Sequence, residues 1–124
     1  MAIRIFIDQG HNPEGPNTGS EGIGTTEAQV TYEVGRELYN LLNGSPNFEA
    51  RLSRNSPSEV LGGSNSEGLR QRVNAANRWG ADYFISIHAN SYSGVEDVWG
   101  YECFTLTTDA EMKAFGSTVL NALH

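Results

Sequence analysis

A chain of 124 residues with a hydrophobic fraction of 38% can build one core but not two, and its mean hydropathy of -0.42 fits a modest one. A formal charge of -7, with no cluster of Lys or Arg, argues against nucleic acid, and an anionic polymer would be repelled unless a separate basic module delivered the domain. No apolar run approaches the roughly 20 residues of a membrane helix, and the single cysteine, Cys103, excludes an internal disulfide.

In chain order, strand-like sequence begins at Ile3 and runs to Asp8, so the residues given are not expected to open with a signal peptide, as in a mature start or a protein exported without one. Gly10 to Thr25 then form a long loop rich in glycine and proline, of a length that is usually functional. Thr25-Thr26-Glu27 opens a helix with a threonine cap. Val30, Val34, Leu38, Leu41 and Leu42 recur at helical spacing, up to a stop at Asn43-Gly44. Phe48, Ala50 and Leu52 alternate with Glu49, Arg51 and Ser53, as in a half-exposed strand. After a loop from Ser56 to Ser66, a helix is expected from about Glu67 to Arg78, with Leu69, Val73 and Ala76 inward and Gly80 at its end.

Tyr83 to Ile87 is a mostly apolar run, expected as a central strand buried on both faces and ending at His88. A polar loop from Asn90 to Val98, a strand from Trp99 to Thr107 and a last helix capped by Thr108 or Asp109 complete the series. Its apolar Phe115, Val119 and Leu123 call for a sheet to pack on. Cys103, between Tyr101 and Phe104, is expected to be a small buried hydrophobe. The order β-α-β-α-β-β-α predicts an α/β fold, with a mostly parallel or mixed central sheet sandwiched by helices.

Two histidines, His11 and His88, stand at the C-terminal ends of predicted strands, where open α/β sheets place their ligands. A zinc site needs three or four N, O or S donors, and catalytic sites keep one position for water. A carboxylate at the same sheet edge would complete the set. Glu27, heading the first helix, fits best, and Glu21 and Glu14 on the loop are alternatives. Asp8, Ser86 and Asn90 flank the ligands and could orient the imidazoles by hydrogen bonds or act as strand-end turn formers. Arg54 and Arg72 suit either substrate carboxylates or structural ion pairs. Tyr92, Trp99 and Tyr101 offer stacking surface, although Trp99 is better read as core.

The stretch Ile5-Phe6-Ile7-Asp8-Gln9-Gly10-His11 resembles the opening motif of the zinc-dependent N-acetylmuramoyl-L-alanine amidases, the amidase-3 family of cell-wall hydrolases. Further matches follow in family order: Glu27, Leu52-Ser53-Arg54, Arg72-Val73-Asn74-Ala75-Ala76-Asn77, Ser86-Ile87-His88-Ala89-Asn90 and Gly100-Tyr101-Glu102. Gln9 stands where the family usually has proline, and Asn12 where it has glycine.

The resemblance implies a zinc ion bound by His11, Glu27 and His88, and hydrolysis of the amide between N-acetylmuramic acid and L-alanine in peptidoglycan. Its catalytic glutamate lies on a late strand with no counterpart before His124, and Glu102 aligns with a non-catalytic position. Residues 1–124 are therefore expected to form a single amidase-like domain, incomplete at its C-terminal end. A catalytically silent, zinc-containing peptidoglycan-binding or regulatory module is the main alternative, and a peptidase on the same kind of sheet another. The expected setting is the cell wall, for a phage lysin, an autolysin or a spore enzyme. A separate wall-binding domain and an oligomer are both compatible with this reading.

Overall fold

The computed structural model describes residues 1–22, 24–89, 100–106 and 108–123. The expected loop of residues 90–98, and with it Asn90, Tyr92 and Trp99, lies outside the described residues, as does His124. The chain divides into two compact units, Met1–Ser91 and Tyr92–His124.

The first unit is built on β1 (Ile3–Gln9), which pairs in parallel with β4 (Phe48–Leu52) on one side and β5 (Tyr83–Ile87) on the other. Ile7 stands opposite both Leu52 and Ile85. The sheet order β4-β1-β5 makes β1 the central strand, a place the sequence reading assigned to β5. Accordingly Ile5, Phe6 and Ile7 are all nearly inaccessible, whereas Phe84 on β5 remains 40% exposed. The apolar run in β5 marks a strand at the margin of the described sheet, where the exposed Phe84 stacks on Phe6, with ring centroids 5.6 Å apart.

Helix α1 (Glu27–Asn43) lies on the face carrying Ile5, Ile7, Ala50 and Leu52, to which it contributes Leu38, Tyr39 and Leu42. Thr26 caps it as expected, its side chain accepting from the Gln29 amide at 3.2 Å. The inward stripe runs through Ala28, Thr31 and Gly35, while the expected core residues Val34 and Leu41 are exposed. Gly35 decides this: a Cβ there would lie 2.5 Å from Gln9 Cγ, so only glycine lets the helix settle on the end of β1. Asn43 ties the end of α1 to β4, its Oδ1 accepting from the Ala50 amide at 2.9 Å and its Nδ2 donating to the Ala50 carbonyl at 3.3 Å. Asn43→Ala should lower stability by about 1 kcal/mol, read as a fall in urea midpoint at unchanged slope.

Helix α2 (Asn65–Trp79) starts two residues earlier than expected, because Ser64 accepts from the Glu67 amide at 3.2 Å. Gly80, in the left-handed region at φ 78°, closes it. Its buried residues are Gly68, Arg72 and Ala76, whereas Leu69 and Val73 are exposed, against expectation. An arginine takes the inward position because its guanidinium has buried acceptors to meet, described below. The long loop after β1 also contains an unanticipated two-stranded hairpin, β2 (Glu21–Gly22) with β3 (Thr25–Thr26).

In the second unit, residues 100–106 are irregular, so the strand expected from Trp99 to Thr107 is absent over its described residues. Cys103 is exposed, not buried as expected. Helix α3 (Ala110–Leu123) is capped by Asp109, whose carboxylate accepts from the Met112 amide at 3.0 Å. Gly116 lies so near the irregular segment that a Cβ would fall 2.7 Å from Thr105 Cγ2 and 2.9 Å from Cys103 Sγ. The fold is mixed α/β, with a parallel central sheet flanked by helices. No helix among the described residues is long and apolar enough to cross a membrane.

Candidate metal centre

Each of the three ligand candidates is delivered by a chain feature that follows from its local sequence. The β1–β5 ladder continues one bond past β1, where the Gly10 amide donates to the Ile87 carbonyl at 3.0 Å. His11 then turns into the left-handed region at φ 67°, which swings its side chain off the strand axis. Glu27 is the first residue of α1, where the helix N-terminus favours an anion. His88 follows directly on β5.

The three side chains converge. His11 Nε2 lies 3.0 Å from Glu27 Oε1 and 3.1 Å from His88 Nδ1, and His88 Nδ1 lies 3.3 Å from Glu27 Oε1. The two imidazoles meet edge to face, with ring planes 88° apart. Glu14 and Glu21 are exposed on the loop and do not join the group.

Asn17 Oδ1 lies 2.7 Å from His11 Nδ1. A carbonyl oxygen can only accept, so Nδ1 carries a hydrogen and Nε2 is the ring nitrogen turned to the centre. Burial by itself would raise the Glu27 carboxyl. The Ser20 backbone amide, the His11 charge, the Ser20 hydroxyl and the Ala89 amide outweigh it, and hold the group below the usual carboxylate value. Ser20 donates to Glu27 Oε2 from its amide at 3.1 Å and from its hydroxyl at 3.0 Å, while the Ala89 amide donates to Oε1 at 3.2 Å. Glu27 is thus ionised at neutral pH, and Oε1 faces a ring nitrogen of each histidine at hydrogen-bond distance. Such a contact needs a proton on a ring nitrogen or a cation among the three atoms.

A divalent ion suits that need. With bonds of about 2.0–2.1 Å, the ligand atoms of a tetrahedral zinc ion lie about 3.3 Å apart, close to the separations found here. Two nitrogens and one carboxylate oxygen are also the donor set of open, water-carrying zinc sites. His11, Glu27 and His88 form a group that could hold a metal ion.

Asp8 and Ser86, for which the sequence leaves both imidazole orientation and strand-end turns open, hydrogen-bond to neither imidazole among the described residues. Asp8 accepts from Arg72 at 2.6 Å and from the Ser86 hydroxyl at 2.7 Å. Arg72 also donates to the Gln9 and His11 carbonyls at 2.6 and 2.9 Å, and to Asn12 Oδ1 at 3.1 Å. These residues hold the backbone that carries His11 rather than its ring. Arg54 is fully buried and donates to the Ala28 and Gln9 carbonyls at 2.6 and 3.3 Å, so its role is structural and no substrate carboxylate reaches it. Burial, reinforced by the Arg72 charge, lowers its pKa.

Sequence reasoning missed Asn17 and Ser20, the side chains that do touch the ligands. The usable signal was the tripeptide Asn17-Thr18-Gly19, since asparagine is one of the few non-glycine residues that settle at positive φ. Asn17 does so at φ 65°.

The sequence profile of the Amidase_3 family, described as N-acetylmuramoyl-L-alanine amidase, matches residues 5–124. The chain is 45% identical over 93 residues to N-acetylmuramoyl-L-alanine amidase CwlM of Bacillus licheniformis, covering 74% of this chain and 33% of that protein. It is 38% identical over 103 residues to the sporulation-specific N-acetylmuramoyl-L-alanine amidase of Bacillus subtilis (strain 168), covering 82% of this chain and 35% of that protein. Thus the chain spans about a third of the length of these curated relatives. Among solved structures, the catalytic domain of the amidase CwlV from Bacillus (Paenibacillus) polymyxa var. colistinus superposes with a TM-score of 0.61 at 28% identity, covering 74% of this chain and 48% of that one. With the profile matched over nearly the whole sequence and a His-Glu-His group at the C-terminal edge of a parallel sheet, the chain belongs to the N-acetylmuramoyl-L-alanine amidase family, Amidase_3.

Proposed function

We propose that the chain carries the zinc centre of an N-acetylmuramoyl-L-alanine amidase that hydrolyses the amide bond between N-acetylmuramic acid and L-alanine in peptidoglycan. The convergence of His11 Nε2, Glu27 Oε1 and His88 Nδ1 within 3.0–3.3 Å carries this reading. Zinc held there would lower the pKa of a bound water toward 7 and polarise the scissile carbonyl. The chain's own residues prepare the place. Ser20 and the Ala89 amide keep Glu27 ionised, Arg72 and Asp8 fix the end of β1, and Gly10 and Gly19 leave room for the imidazoles. The substrate implies a working place at the bacterial cell wall, and residues 1–124 are read as part of one amidase domain.

One observation favours the second reading, a catalytically silent zinc-containing peptidoglycan-binding module. Asp8, the carboxylate beside the ligands on β1, is occupied by Arg72 and Ser86, which removes it as a proton donor to a leaving amine.

The deciding experiment loads the chain with zinc and follows the release of L-alanine amino groups from a soluble muramoyl-peptide. We expect one zinc per chain, lost in both His11→Ala and His88→Ala. A folded wild-type chain that takes up no zinc would sink both readings. Turnover establishes the amidase, and muropeptide binding with zinc but without turnover establishes the silent module.

A further inference from the structure

We propose that Asn17 is a positioning residue for the metal centre: its side-chain carbonyl holds His11 in the tautomer and rotation that aim Nε2 at Glu27 and His88. The inference rests on the zinc reading above and goes beyond it, because Asn17 meets His11 at Nδ1, the ring nitrogen turned away from the centre.

Three observations carry it. The His11 Nδ1 to Asn17 Oδ1 distance is 2.7 Å, short for a bond from nitrogen to oxygen. The opposite nitrogen of the same ring is the one that meets Glu27 Oε1 at 3.0 Å, so the two contacts fix the ring at both ends. Asn17 is itself held in place. Its backbone carbonyl accepts from the Asn12 amide at 2.8 Å, and the Asn12 side chain donates to the Pro16 and Leu61 carbonyls at 2.8 and 3.1 Å. Asn12 is 1% exposed, so the turn hangs from a buried anchor and not from solvent-facing contacts. A histidine that binds metal through one nitrogen characteristically donates from the other to such an acceptor, and the acceptor sets ligand basicity and orientation.

The backbone at Asn17 permits a clean separation of geometry from chemistry. At φ 65°, glycine keeps the turn while deleting the acceptor, and aspartate keeps both. Asn17→Gly should weaken zinc binding by about 10–100-fold in competition with a chromophoric chelator, while Asn17→Asp restores or exceeds wild-type affinity. In the metal-free, nitrogen-15-labelled full chain, imidazole spectra should show His11 protonated on Nδ1 in wild type and Asn17→Asp, with that preference lost in Asn17→Gly. Circular dichroism should show the same secondary structure in all three.

Equal zinc affinity in wild type and Asn17→Gly would overturn the positioning role while leaving the zinc reading intact. A wild-type His11 protonated on Nε2 in the metal-free chain would overturn it independently. A wild-type chain that binds no zinc overturns the zinc reading and this inference with it.

Discussion

Arg72→Met should lower the stability of the chain by about 3–5 kcal/mol, the cost of leaving a buried charge without its partner. Arg72 is 2% exposed and Asp8 is 3% exposed, and their ion pair closes at 2.6 Å. The same guanidinium satisfies the Gln9 and His11 carbonyls and Asn12 Oδ1. Methionine fills much of the volume but meets none of these acceptors, so among the described residues Asp8 keeps only the Ser86 hydroxyl. Lysine would restore the charge without the fork that reaches acceptors on both sides, and should rescue poorly. The double variant Arg72→Met/Asp8→Asn removes the orphaned charge and should recover part of the loss. Urea unfolding of the metal-free protein measures all four. A loss below about 1 kcal/mol would place this pair among exposed ion pairs, contrary to its burial.

Gly10→Ala is expected to abolish tight zinc binding in a chain that still folds. A Cβ at this position would lie 2.4 Å from His88 Cε1, 2.7 Å from its Nδ1 and 2.7 Å from the Ile87 carbonyl oxygen. That carbonyl already accepts from the Gly10 amide at 3.0 Å, so moving the backbone away would open the β1–β5 ladder. The cheaper response is rotation of the exposed His88 ring out of the centre. Overpacking should cost about 1–3 kcal/mol, and zinc affinity should fall on the order of 100-fold or more. Chelator competition gives the affinity and thermal unfolding gives the stability. Wild-type affinity in Gly10→Ala would show that His88 does not bind where the geometry places it.

Much of this was readable from residue pattern. The strands β1, β4 and β5 and the helix α1 carry periodicity and caps that are local properties, and the candidate triad was suggested by strand-end histidines with a helix-opening glutamate, the choice of Glu27 over Glu21 and Glu14 coming with the family resemblance. What escaped was whatever depends on contact across the fold. The inward stripe of α1 is set by Gly35 meeting Gln9, and that of α2 by Arg72 meeting Asp8, so Val34, Leu41, Leu69 and Val73 were misassigned to the core. Which strand is central depends on pairing, and a long apolar run in β5 does not encode it. Asn17 and Ser20 reach the ligands only because the loop folds back on itself, a closure that has no periodicity to read.

The separation of His11 from His88 by 77 positions has a thermodynamic side. An ion held, as proposed, by the end of β1, the first turn of α1 and the end of β5 would act as a cross-link. Folding and metal uptake then become one linked equilibrium. Each tenfold rise in free metal above the dissociation constant adds about 1.4 kcal/mol to the folded state. The melting temperature of such a domain is a gauge of the metal around it.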